Sequence, residues 1–169
     1  MTPRRKRERP TKVGRSIIIG IGNPYRGDDG VGLIVARSLR DRSPRGVAVV
    51  EQDGEPAALI NAWEGADVVV LIDAVSSGSP PGTVHAIDAS KTRLNRDLFR
   101  HSTHSLGVAE AVELARSLGR LPRALWIYGI EGTNFGASQE MCQEVIGAIP
   151  QTVQTVLNKI EELVLPTRT

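Results

Sequence analysis

A chain of 169 residues, 40% of them hydrophobic and 24% charged, is the size of one domain with enough apolar surface for its own core. Its one cysteine, Cys142, excludes an internal disulfide and a thiolate metal cluster, which fits a reducing, cytoplasmic setting. The formal net charge of +2 is unevenly placed: residues 1–15 hold seven of the 21 basic residues and one of the 19 acidic ones, so the rest of the chain carries about −4.

A tail of that composition cannot bury enough apolar surface to fold. The expected organisation is a disordered basic tail over residues 1–15 and a single α/β domain over 16–169. The acidic body argues against nucleic acid as a partner, since any such contact would rest on the tail alone. No apolar run approaches the ~20 residues that span a bilayer, and the N-terminus has no apolar signal region, so neither membrane insertion nor secretion is expected.

In chain order, the first element is Ser16–Ile21, where Ile17, Ile18 and Ile19 form a β-branched run bounded by glycine and read as a buried strand. Gly20 to Gly32 is a glycine-rich turn. Val31–Arg40 spaces Val31, Ile34, Val35 and Leu39 at helical intervals. Val47–Glu51 reads as a second strand, and Pro56–Trp63 as a short helix with proline at its start. Val68–Ile72 is the most apolar run in the chain and reads as a central strand that ends at Asp73. Ser76–Gly82 is a Ser/Gly/Pro loop, followed by Thr83–Asp88 as a fourth strand near an edge. Ser105–Leu118 reads as an amphipathic helix with Gly119 as its stop. Leu125–Ile130 is a fifth strand, and Gly129–Gly136 a glycine-rich loop. Ser138–Val164 reads as one or two helices, with Pro150 starting the second or kinking a long one.

This alternation predicts an α/β fold: a three-layer αβα sandwich with a mostly parallel twisted sheet of about five strands and helices on both faces. Ligands of such sheets bind beyond the carboxyl ends of the strands. The turn after the first strand, Asp73, and the loop Phe99–Ser105 belong at that rim.

The turn carries Gly22, Asn23, Asp28 and Asp29. A dinucleotide fingerprint needs glycine where Tyr25 stands, and a phosphate loop needs Gly-Lys followed by Ser or Thr; both are absent, and two acids repel a phosphate. An Asp before a helix also serves as a cap on orphan N–H groups, a role that suits Asp28 better than Asp29. Asp73 closes an apolar run, where an ionised carboxylate needs a partner, hydrogen bonds or a metal; a strand-end Asp that bonds loop amides is an equally ordinary role. His104 stands three residues after His101, just before a helix, and a single histidine is more often structural than ligating. Together, Asp29, Asp73 and His104 offer two carboxylates and one imidazole, a set that suits a divalent transition ion with coordination positions left open. His85, in the edge strand, has no acidic neighbour in a matching loop and is read as inert. Cys142 is read as packing. Neither an H-E-x-x-H helix nor a G-x-S-x-G elbow is present.

These blocks resemble those of the hydrogenase maturation proteases. Gly20–Gly32 resembles their G-x-G-N-x-x-x-x-D-D-G-x-G signature. Asp73-Ala74-Val75 with Pro81-Gly82-Thr83-Val84 resembles the second block, Ser102–Gly107 the third, and Ile127–Gly132 the last strand and loop. The blocks run in matching order over about residues 16–160. The resemblance implies an aspartic-type endopeptidase that cuts a C-terminal extension from the large-subunit precursor of nickel-iron hydrogenase after nickel insertion. It assigns Asp29, Asp73 and His104 as metal-binding positions and Asp28 as the neighbouring support or cap. It leaves the nucleophile open; a water oriented by Asp29 or Asp73 is the simplest hypothesis, which makes those two the candidate catalytic residues, with Asn23 and Gly22 as further supports. Two roles for the metal stay open: nickel that comes with the substrate and serves as the recognition element, favoured because such a site holds a divalent ion weakly, or a metal held by the protease that polarises the scissile carbonyl or activates water; other divalent transition ions are expected to substitute. A rival is a non-catalytic nickel-handling module that binds the immature subunit without cutting it. A small-molecule hydrolase or nucleotide binder is a second rival, disfavoured by the missing motifs.

Overall fold

The computed structural model describes residues 14–95, 103–137 and 140–164, with residues 103–106 described by their backbone alone. The expected tail therefore lies outside the described residues, except at its end. There Arg15 is tied to the body: its carbonyl accepts from Asp67 N at 2.9 Å, and its guanidinium donates to the carbonyls of Glu64 and Ala62.

The elements are β1 (Ser16–Ile21), α1 (Val31–Leu39), β2 (Val47–Gln52), α2 (Pro56–Trp63), β3 (Val68–Val75), β4 (Val84–Asp88), α3 (Thr103–Ser117), β5 (Ala124–Glu131) and α4 (Gln143–Val164), with a 3₁₀ turn at Gly27–Gly30. The sheet order is β2-β1-β3-β5-β4. β1 pairs in parallel with β2 and β3, and β3 with β5, while β4 runs antiparallel to β5. This is the expected three-layer α/β sandwich of five strands. β1 and β3 are buried along their whole length, as strands covered on both faces must be, and the outer strands β2 and β4 are half-buried.

Side-chain alternation divides the core in two. Ile17, Ile19, Val69, Leu71, Leu125 and Ile127 pack with α2 and α3 on one face. Ile18, Val68, Val70, Ile72, Tyr128 and Ile130 pack with α1 and α4 on the other. Local signals set the helix ends. The Glu55 carboxylate caps α2 by accepting from Ala57 N and Ala58 N at 3.0 and 2.7 Å, with Pro56 at the first position. Gly119, at φ +65, stops α3, and Arg120 N donates to Ala115 O at 2.8 Å.

Two expectations are revised. α4 is one helix with Pro150 inside it, starting at Gln143 rather than Ser138. β3 continues through Asp73 to Val75, because Asp73, Ala74 and Val75 pair with Gly129, Ile130 and Glu131 of an equally prolonged β5.

Candidate functional site

Chain direction around the sheet reverses at β1: β2 lies on one side, and the chain then crosses to β3 on the other. The carboxyl ends of β1 and β3 thus flank a topological switch point. The turn after β1 is pressed onto β3, and glycine makes that approach possible. A Cβ on Gly32 would stand 2.3 Å from Ile72 O and 2.4 Å from Ile21 O. Gly22, at φ +148, brings the chain so close to the turn that a Cβ there would meet Asp29 O at 1.9 Å.

Asp28 and Asp29 are both buried, and they face different partners. Asn23 N donates to Asp29 Oδ2 at 3.0 Å, while Asn23 Oδ1 accepts from Tyr25 N and holds the turn. Asp28 Oδ2 accepts from Thr133 N and Asn134 N, both at 2.8 Å, and its Oδ1 from Cys142 N at 2.7 Å. Asp28 is therefore not the cap of α1, as its position before that helix implied. Its carboxylate reaches across to the loop after β5 and to the residue that opens α4. Asp28 thus anchors the turn from outside it, while Asp29 accepts from Asn23 within it.

Asp73 is fully buried inside β3, directly after Ile72, whose partner on β1 is Gly20. Its Oδ1 accepts from Ala74 N at 2.9 Å. Alternation aims it at the α3 face, with Leu71 and Val75. His104 falls in the first turn of α3 rather than before it, and its side chain lies outside the described residues. His101 also lies outside them. Among the described residues, no group of three His, Cys, Asp or Glu side chains is arranged to hold a metal ion. The donor chemistry of Asp29, Asp73 and His104, two carboxylates and one imidazole, fits a divalent transition ion, and two buried carboxylates on one rim favour a nearby cation.

Two residues escaped the sequence reading. Glu131, at the end of β5, is buried, and His85 Nε2 lies 3.2 Å from its Oε2. His85 thus has an acidic partner after all, because the antiparallel return of β4 sets it beside β5. Glu131 carries the same sequence signal as Asp73, an acid closing an apolar strand. Cys142 packs partly against the α1/α4 cluster, and burial, followed by the nearby Asp28 carboxylate, raises its thiol pKa. A raised thiol is a poor nucleophile at neutral pH.

The arrangement is that of an open α/β sheet with buried carboxylates at its switch point, the place where ligands of such sheets bind. The family model described as hydrogenase maturation protease matches residues 34–159, a stretch containing Asp73 and His104, and the chain belongs to that family. The hydrogenase expression/formation protein HupM of Azotobacter chroococcum is 29% identical over 127 residues, covering 72% of this chain and 61% of the relative. The chain spans about three fifths of the length of HupM, of HupD of Thiocapsa roseopersicina and of HoxM of Azotobacter vinelandii. The [NiFe] hydrogenase maturation protease HybD from Thermococcus kodakarensis is similar in structure, with a TM-score of 0.65, 27% identity, and coverage of 89% of this chain and 99% of that one. The hydrogenase maturating endopeptidase HybD from E. coli shares the fold at a TM-score of 0.71 and 22% identity, covering 88% and 93% of the two chains.

Proposed function

We propose that this protein is an endopeptidase that removes the C-terminal extension from the nickel-loaded large-subunit precursor of nickel-iron hydrogenase. The observation that carries this reading is the burial of Asp29 and Asp73 at the carboxyl ends of adjacent parallel strands in a chain of this family. The nickel is part of the substrate. Asp29, Asp73 and His104 meet it as additional ligands, so cutting waits until the ion is in place. A water beside Asp29 or Asp73 attacks the scissile carbonyl. The carboxylate takes its proton and returns it to the leaving amine as the C–N bond breaks. Gly22, Asn23 and Asp28 hold the turn in register for this. Work in the cytoplasm fits the single cysteine.

Intact-mass measurement on nickel-loaded precursor tests the reading. The wild-type protein should release a C-terminal peptide, and Asp73→Asn and His104→Ala should leave the precursor uncut while folding normally. A stable complex of unchanged mass with the wild-type protein would instead identify a non-catalytic assembly module.

A further inference from the structure

Glu131 closes β5 with its carboxylate withdrawn from water, the residue being 1% exposed. Ser77 N and Gly78 N donate to Oε1 at 2.7 and 2.9 Å, Ser77 Oγ donates to Oε2 at 2.8 Å, and His85 Nε2 completes the set. A carboxylate this deep is held by charge-assisted hydrogen bonds, which are stronger than neutral ones. The trio is not a serine-nucleophile triad, because the carboxylate rather than the imidazole stands in the middle.

Both loop partners follow Asp73 closely in sequence. Backbone bonds fasten the same place: Gly82 N donates to Glu131 O and Glu131 N to Thr83 O, both at 2.8 Å, and Gly132 N to Val75 O at 2.9 Å. Two residues on, the chain grips the other acid-bearing loop. Thr133 N and Asn134 N donate to Asp28, Asp28 N donates to Asn134 O at 2.8 Å, and Arg26 Nε donates to Phe135 O at 3.0 Å. Residues 131–135 therefore hold the loop after Asp73 at one end and the turn of Asp29 at the other.

We propose that Glu131 is a positioning residue. With His85 it locks the 76–79 loop, so that residues 131–135 act as a fixed spacer setting Asp73 against Asp29. The proposal rests on the reading of these two as the reacting carboxylates. Loosening a spacer by even an ångström is enough to cost a large factor in rate.

Steady-state processing of nickel-loaded precursor, combined with amide exchange, tests it. Glu131→Gln turns an amide N–H₂ toward groups that are themselves donors. Exchange at Ser77 and Gly78 should quicken, and kcat should fall about tenfold to a hundredfold, the range typical of outer-shell partners. KM should stay within about twofold, since Glu131 is buried away from the surface. His85→Gln, which keeps a side-chain N–H, should retain most of the activity that His85→Leu loses. If Glu131→Gln does not fold, Ser77→Ala removes one hydroxyl from the clamp and should give the same kcat-against-KM split on a smaller scale. Unchanged kcat beside quickened exchange at Ser77, in either variant, overturns the positioning role. Full activity in Asp73→Asn would instead sink the reading beneath it, while an inactive Asp73→Asn beside a fully active Glu131→Gln would sink the positioning role alone.

Discussion

Asp28 and Asp29 are neighbours with different partners, so under the proposed function their substitutions should part company. Asp28→Asn sets an amide N–H₂ against backbone donors at Thr133, Asn134 or Cys142. It should lower stability in urea unfolding by about 1–3 kcal/mol, the usual cost of a buried group left unsatisfied. Asp29→Asn should shift the unfolding midpoint little and abolish precursor cleavage. Tyr128 gives a pH prediction. Burial, and then the nearby Glu162, push its phenol up to about 12. The unfolded chain ionises near the ordinary value of about 10, so above that pH the unfolded state sheds a proton that the folded state keeps. The contribution is whole below pH about 10 and is lost as pH rises toward 12, and melting curves of Tyr128→Phe should be flatter than wild type across that window. Sequence marked Asp29 and Asp73 because an acid in a glycine turn and an acid on an apolar strand are locally odd. It misread Asp28 and His85, whose partners lie about 105 and 46 residues away in the chain, at Thr133 and Glu131.

At the scale of elements, α4 contains its own flaw. Pro150 sits inside the helix, without an N–H to donate, and its ring faces solvent. The helix survives because Val145, Val153, Val156, Leu157 and Ile160 bury one stripe against the sheet. Pro150→Ala should therefore stabilise the protein, by about 1–3 kcal/mol in urea unfolding, without touching cleavage. Local pattern sufficed to place β1 and α2, since an isoleucine run between glycines and a proline-led apolar helix carry their own boundaries. It stopped β3 and β5 short, because pairing of Asp73–Val75 with Gly129–Glu131 extends each strand, and pairing between distant segments leaves no local mark. The continuous α4 was equally hidden, since proline argues for a break wherever tertiary packing is unknown.

Across the whole molecule, the two ends of the sheet differ. One end carries Asp29 and Asp73. The other carries the turns around Glu64 and Arg120, whose partly exposed side chains pair with each other. Breaking that pair with Arg120→Ala should change stability by less than about 1 kcal/mol and leave cleavage rates alone, as measured by thermal melts and precursor digestion. The alternation of apolar strands and amphipathic helices was enough to foresee the three layers. It did not foresee the order of strands, which depends on which edges meet. That order has a consequence for synthesis. β3, the most apolar strand, sits between β1 and β5, and some fifty residues separate its end from the start of β5. A nascent chain leaving the ribosome must carry that strand with one side bare until its last partner emerges. Messages that stall or truncate within that interval would release a sticky half-sheet, a natural client for chaperones.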